Sequence, residues 1–406
     1  MRQLYFDNAA TSWPKPPGVL RALGRYLHRG GGNPGRSGHA RAIEAGRIVL
    51  ETRELLAELL GVRDPAHLVF TKNATEALNL ALLGTLKPGD HVVTGSTEHN
   101  SVLRPLTALR ERGVEVTMVE ADAAGRLAPE AVIAALRANT RLVALNHASN
   151  VCGTVLDAAA VGRLCRQRGV PFLLDAAQTA GCLSIDVESL GVDLLAFSGH
   201  KGLLGPQGTG GLYIRDPAAL RPLEYGGTGS RSDREEQPEF LPDRFESGTL
   251  NVHGLAGLGA GLRYLRNRGV EEVAGHDRRL LGILLEALNA EPGITVYGPG
   301  DGNDQVGVLS VNIIGLSPSE VGWRLEREFG ILTRIGLHCA PRAHRTLGTF
   351  PDGTVRLSWG PFTREVEARA AIRALRRLAR DSHGVGRESR NSGNGRNARP
   401  HGRRTG

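Results

Sequence analysis

An amine at Lys201 and a carboxylate at Asp175 lie 26 positions apart, each just after a short apolar run. Asp175 closes the run 171–174. Lys201 ends the turn Ser198-Gly199-His200-Lys201 that follows the run 193–198. If both runs are strands, the two groups stand at neighbouring strand ends. That arrangement suits pyridoxal 5'-phosphate. The lysine forms an imine with the aldehyde, and the carboxylate keeps the pyridine nitrogen protonated so that the ring accepts electrons. Taken singly, each residue reads more simply as a surface lysine or an ordinary strand-end carboxylate. The paired placement carries the chemistry.

Other segments supply what such a coenzyme needs. Thr71-Lys72-Asn73-Ala74-Thr75 joins a strand-like run to a helix-like one. Backbone N–H groups near Ala74 and the Thr75 hydroxyl could bind phosphate there, although a plain helix cap would use the same residues. Ser198 and His200 could add donors. His99 follows the apolar run at 91–94 and could stack on a ring or move protons; a lone histidine can equally be structural. In Arg334-Ile335-Gly336-Leu337-His338-Cys339-Ala340-Pro341, a loop bounded by glycine and proline should leave Cys339 accessible, with Arg334 and His338 close by. Such surroundings favour a nucleophilic thiolate. Cys165 sits in a helical pattern and reads as packing; Cys152 and Cys182 fall in loops near the proposed site. Arg356 could grip a substrate carboxylate through two N–H groups or serve a structural ion pair.

These residues need a scaffold. Short strand-like runs occur at 67–71, 91–94, 115–120, 141–146, 171–175 and 193–198, with helix-like segments at 74–83, 129–138 and 158–168. The alternation favours a parallel or mixed sheet covered by helices on both faces, with ligands beyond the carboxyl ends of its strands. A Gly-, Pro- and charge-rich stretch, 226–242, reads as a long loop. Helices are expected at 252–268 and 277–290. A smaller α+β unit follows, with strands at 294–297, 307–313 and 355–359 and helices at 319–329 and 364–379. No internal repeat is present.

With 406 residues, 40% hydrophobic and 23% charged, the chain has room for one large and one smaller core. No apolar run approaches the roughly 20 residues of a membrane-spanning helix, and the start lacks a signal-peptide core. A cytoplasmic location is expected. Four cysteines without a Cys-x-x-Cys pair suggest neither a disulfide framework nor a metal site. The formal net charge is +8, and the segment 381–406 contributes +4 of it through six arginines. That segment is poor in apolar residues and should be a disordered basic tail. A nucleic-acid-binding role for it is the reading from a different class, and would be salt-sensitive.

Taken in order, the segments resemble the cysteine desulfurase and selenocysteine lyase family, within the class V aminotransferase-like enzymes of fold type I. The resemblance runs from Tyr5-Phe6-Asp7-Asn8-Ala9-Ala10 to Arg356-Leu357-Ser358. Between them it takes in Asn73-Ala74-Thr75-Glu76, Thr97-Glu98-His99-Asn100, Asp175-Ala176-Ala177-Gln178, the Lys201 turn, Arg244-Phe245-Glu246-Ser247-Gly248-Thr249 and the Cys339 loop. It implies that Lys201 is the Schiff-base lysine and proton shuttle. Asp175 would pair with the pyridine nitrogen, Gln178 with the phenolic oxygen, and His99 would stack and deprotonate the substrate thiol. Thr75, Ser198 and His200 would hold phosphate, and Thr249 would reach the phosphate of a partner subunit's coenzyme in a homodimer. Asn150, Arg356 and Arg334 would handle L-cysteine or L-selenocysteine. Cys339 would take the sulfur as a persulfide and pass it to an acceptor protein or a reductant. Its short loop is similar to that of the second group of these enzymes. The implied layout is an arm, 1–20, packing on the small domain; a large coenzyme-binding domain, 21–265; a small domain, 266–380; and the tail. Asn73 stands where many relatives carry glycine, and Leu337 where many carry a second histidine. Transamination or β-lyase chemistry without a persulfide is the alternative on the same scaffold.

Overall fold

The computed structural model describes residues 3–35, 37–302 and 304–391. The first part of the chain runs β1 (Leu4–Tyr5), α1 (Pro17–Arg29), α2 (Ala40–Leu60), β2 (Leu68–Thr71), α3 (Ala74–Thr85), β3 (His91–Gly95), α4 (Asn100–Glu111), β4 (Glu115–Val119), α5 (Pro129–Ala134), β5 (Thr140–Asn146), α6 (Ala158–Arg168), β6 (Phe172–Asp175), β7 (Leu194–Ser198), β8 (Gly210–Ile214) and α7 (Val252–Arg268). The remainder runs α8 (Val270–Leu288), β9 (Ile294–Tyr297), β10 (Val308–Ile313), α9 (Pro318–Phe329), β11 (Ile331–Leu332), β12 (Arg334–Gly336), α10 (Pro341–Thr346), β13 (Thr354–Ser358) and α11 (Glu365–Asn391).

Seven strands form the large sheet, in the order β2-β8-β7-β6-β5-β3-β4. Only β8 runs against its neighbours, so the sheet is mixed, as the alternating pattern leads one to expect. Both faces are covered. Val93, Leu174 and Leu195 feed one core, and their chain neighbours Val92, Leu173 and Leu194 feed the opposite one. Burial on both sides explains why these strands read as continuous apolar runs. Since β2, β3, β5, β6 and β7 share a direction, their carboxyl ends open on one edge, where the residues following them meet.

A four-stranded antiparallel sheet, β12-β13-β10-β9, carries the second core. Leu309, Val311, Val355 and Leu357 pack there against α8, α9 and α11. The first residues join this unit: β1 pairs in parallel with β11, and Phe6 is fully buried in the same core. The chain then crosses to the large sheet, where α1 and α2 both pack on α7.

Several elements differ from the sequence reading. The helices α1 and α2 precede the first expected element, although Pro17 at the start of α1 and left-handed Gly61 at the end of α2 are standard boundary residues. The strand β8 was missed because it opens with two glycines. Helix α8 starts seven residues earlier than expected, directly after Gly269 (φ 85°) ends α7. The disordered tail requires correction over 381–391: α11 continues to Asn391. Arg324 and Arg377 anchor that continuation on Asp381. The other tail positions, 392–406, lie outside the described residues. Among the described residues no helix is long and apolar enough to cross a membrane.

Candidate active site

A cavity of about 220 Å³ opens at the carboxyl ends of the parallel strands. Asp175 is the last residue of β6, and its Oδ1 accepts a hydrogen bond from the Ala177 N–H at 2.9 Å. Burial raises its pKa, opposed by that bond and by the charge of Lys201. Lys201 comes from the turn after β7 and lines the same cavity. Loss of water lowers its amine to about 8; Asp175 works against this, and Arg356 and Arg334 work with it. The sequence-expected pair therefore meets in one cavity, electrostatically coupled. The turn is braced from beneath. Lys15 Nζ and the Ser12 N–H both donate to the His200 carbonyl, at 2.8 and 3.0 Å.

The phosphate candidates lie on one wall. Asn73 caps α3, its side chain accepting from the Glu76 N–H, which explains an asparagine at this position. The Ala74 N–H points to the Ser198 hydroxyl at 3.2 Å, and Thr75 and His200 line the cavity beside them. His200 Nδ1 is buried with no hydrogen-bond partner. A helix start, two hydroxyls and an orphaned ring nitrogen form a cradle suited to an anion. A phosphorylated, ring-bearing aldehyde fits this donor set, since the same cavity also holds the amine of Lys201 and the carboxyl of Asp175.

His99 caps α4, and its Nδ1 accepts from the Ser101 N–H at 3.0 Å. Burial, followed by nearby Lys201 and three arginines, lowers its pKa to about 4. The ring is thus neutral with its proton on Nε2. It offers a flat face and a donor, not the free lone pair that thiol deprotonation requires. Gln178 lines the cavity and donates from Nε2 to the Ala9 carbonyl at 3.2 Å.

Arg356 is 1% exposed and realises the structural ion pair that the sequence allowed. Its Nη2 meets Asp7 Oδ1 at 2.7 Å and its Nη1 donates to the Asn150 carbonyl at 2.9 Å. The buried Nε stays unpartnered, as does Asn150 Oδ1. One guanidinium N–H and one amide oxygen, the latter on a residue that lines the cavity, are thus left without a partner. Sequence reasoning gave Asp7 no role, although it lies in the opening motif. Its only signal was a carboxylate among apolar and small residues.

Cys339 is the one exposed cysteine among the four. Burial pushes the thiols of Cys165 and Cys182 up, so neither is a ready nucleophile, and Cys152 is packed beside Thr154. The Cys339 carbonyl accepts from the Asn100 N–H at 2.7 Å, which ties the loop to the residue after His99. Arg334 Nη2 lies 3.6 Å from the Cys339 sulfur. Asn150 Nδ2 donates to the His338 carbonyl at 2.8 Å. Arg334, Arg356 and Cys339 are not among the residues that line the Lys201 cavity, although their charges reach Lys201, and Thr249 falls elsewhere altogether. It lines a separate hollow of about 600 Å³ together with Phe70, Lys72 and His253.

A profile of the Aminotransferase class-V family matches residues 4–370. A probable cysteine desulfurase of Methanothermobacter thermautotrophicus is 38% identical over 362 residues, covering 87% of this chain and 89% of that protein. Among solved structures, the apo cysteine desulfurase of Thermococcus onnurineus NA1 superposes with a TM-score of 0.88 at 34% identity, covering 93% of this chain and 95% of that one. The Escherichia coli cysteine desulfurase CsdA, in its S-sulfonic acid form, gives 0.82 at 29% identity, covering 92% and 94%. The chain belongs to the class V aminotransferase family, in its cysteine desulfurase group.

Proposed function

We propose that this protein is a pyridoxal 5'-phosphate-dependent cysteine desulfurase that converts L-cysteine to L-alanine and takes the sulfur onto Cys339 as a persulfide. When bound, the coenzyme supplies a sink for the electron pair left at the substrate α-carbon. The rest is work for side chains. Lys201 holds the aldehyde carbon, then moves the proton at the α-carbon; an amine near 8 suits both tasks at neutral pH. Asp175 keeps the proton on the ring nitrogen, and His99 covers the ring face and donates from Nε2. Gln178 turns its amide from Ala9 to the phenolic oxygen. Ala74, Thr75, Ser198 and His200 bind the phosphate. Arg356 presents Nε to the substrate carboxylate beside Asn150. Arg334 stands at the thiol. The Cys339 sulfur bonds to the substrate sulfur as the substrate's C–S bond breaks. The electron pair goes to carbon, which is then protonated, so one thiol becomes a persulfide and cysteine becomes alanine.

The observation that supports this reading is the hydrogen bond from the Asn100 N–H to the Cys339 carbonyl, which joins the loop of the exposed cysteine to the residue after His99, itself part of the Lys201 cavity wall. The reading extends to L-selenocysteine as a second substrate, to a cytoplasmic homodimer in which Thr249 serves the partner's coenzyme, and to an acceptor protein for the sulfur. The Cys339→Ala protein should keep the visible absorbance of bound coenzyme and lose sulfide release from L-cysteine under reducing conditions. Unchanged sulfide release, or a keto acid as product in place of alanine, would overturn the assignment.

A further inference from the structure

Behind Cys339 lie three buried side chains that the chemistry above does not use. His338 Nε2 lies 3.2 Å from the Arg334 carbonyl, and its Nδ1 lies 3.3 Å from His344 Nε2. His344 Nδ1 lies 2.7 Å from the Thr349 hydroxyl. Both rings are almost wholly buried, with exposures of 3% and 0%. A carbonyl can only accept, so His338 carries its proton on Nε2. A neutral His338 then has a lone pair on Nδ1, which only an N–H on His344 Nε2 can satisfy. His344 in turn needs a donor at Nδ1, and the Thr349 hydroxyl is that donor. Each link orients the next; the Leu337 carbonyl also meets the His344 ring, and the His344 carbonyl lies 3.4 Å from the Thr349 hydroxyl.

The backbone shows what the chain of bonds holds. His338 and Cys339 both have left-handed backbone, with φ of 48° and 58°, and neither is glycine. Two successive residues in that region cost free energy, and surrounding contacts must enforce it. The carbonyls of both residues are clamped, by Asn150 and Asn100. The third clamp is the His338 ring. Short of these bonds, the turn would relax and swing the thiol away from Arg334. The same atoms also connect to the substrate side, because Asn150 bonds both His338 and Arg356.

We infer that His344, acting through His338 and oriented by Thr349, is a positioning residue that presents the Cys339 thiol to the substrate sulfur on a rigid turn. The inference rests on the desulfurase reading for its effect on turnover, but not for its geometry. Burial lowers both histidines, His344 to about 4, so the chain stays neutral wherever the enzyme would operate.

The test uses the coenzyme-loaded enzyme and three variants. Nitrogen NMR of isotope-labelled histidine should show His338 and His344 both as neutral Nε2–H tautomers near neutral pH. His344→Leu should slow single-turnover persulfide formation from L-cysteine at least about tenfold, the size of effect expected when a buried acceptor loses its donor. It should leave the exchange of the L-alanine α-hydrogen in heavy water unchanged, since that step involves Lys201 and not the thiol. His344→Gln, whose amide can donate to His338 and accept from Thr349, should recover the rate to within about threefold. Should His344→Leu not fold, Thr349→Val removes the outer donor with less disturbance and should slow the same step while sparing the exchange. A charged or Nδ1–H His344, persulfide formation in His344→Leu within twofold of the parent, or equal damage in the Leu and Gln variants would overturn the inference. A parent enzyme that forms no persulfide defeats the desulfurase reading instead. The tautomers, and the rate at which iodoacetamide alkylates Cys339 in parent and His344→Leu, then decide the positioning role alone: equal rates overturn it.

Discussion

Lys201 combines two opposed influences, and their balance is measurable. Burial disfavours its ammonium form and pulls the amine down to about 8, while the Asp175 carboxylate pushes it back up. The reactive species is the free amine, which is present above the midpoint. In coenzyme-free protein, the rate of labelling Lys201 with an amine-directed acylating reagent should therefore rise through a midpoint near 8 and not near the ordinary lysine value. Asp175→Asn removes the opposing charge, so the midpoint should fall further; a midpoint that rises in this variant would contradict the coupling. Asp7 and Arg356 set up a second balance. The guanidinium is buried and, among the described residues, has its only carboxylate partner in Asp7, at 2.7 Å. Asp7→Ala should leave an uncompensated buried cation and lower unfolding stability by about 2–3 kcal/mol in urea titration, less than for a fully buried pair because the Asp7 side chain keeps 23% exposure. The Km for L-cysteine should change too, since the freed guanidinium can turn.

At the scale of elements, β8 shows how a strand can be essential and yet poorly written. A Cβ on Gly210 would stand 2.6 Å from the Asn73 Cα and 2.8 Å from the Phe197 carbonyl. The glycine lets β8 lie against the cap of α3, and so sets where the phosphate-binding helix begins. Gly210→Ala should push that helix start outward. The expected result is a stability loss of about 1–3 kcal/mol and weaker retention of the coenzyme, read by denaturant unfolding and by dialysis of the absorbing species. A sequence scan for β-branched or alternating residues passes over such a strand, because its information is in what it lacks. The same logic separates what was legible from what was not. Asp175, Lys201 and His99 could be read because each ends or follows a doubly buried strand whose apolar run is continuous and whose end is therefore visible. The role of Asp7 was not readable, because its partner lies 349 positions away and only the fold pairs β1 with β11. The tautomer of His99 was equally hidden, since it follows from a backbone N–H two residues on. The helical path of 381–391 was obscured by composition: few apolar residues suggested disorder, but α11 enters the second core upstream, and Arg324 and Arg377 hold the next turn through Asp381.

At the scale of the molecule, the proposed role of Thr249 predicts an assembly. Its segment is held firmly. Arg53 grips Glu246 through two hydrogen bonds, at 2.7 and 2.9 Å, and the Phe70 N–H donates to the same carboxylate at 2.6 Å. The grip fixes Thr249 in a hollow whose wall includes Lys72 and Glu76, at the outer side of the α3 start, and not in the cavity that holds Lys201. A threonine built rigidly beside one phosphate cradle, but outside it, serves a neighbour's cradle if two copies meet across a two-fold axis. Sedimentation should then show a dimer, and Thr249→Ala should weaken coenzyme binding about tenfold, as the loss of one phosphate donor does. The decisive measurement mixes Lys201→Ala and Thr249→Ala proteins at a coenzyme concentration too low to fill the weakened Thr249→Ala sites. Within a heterodimer of Lys201→Ala and Thr249→Ala chains, one site combines the intact lysine of one chain with the intact threonine of the other, and the second site has neither. After co-expression in equal amounts, half the dimers are mixed and each has one complete site, so activity should recover to about one quarter of the parent level. If each threonine served its own chain, every site in the mixture would lack one group or the other, and no recovery would occur.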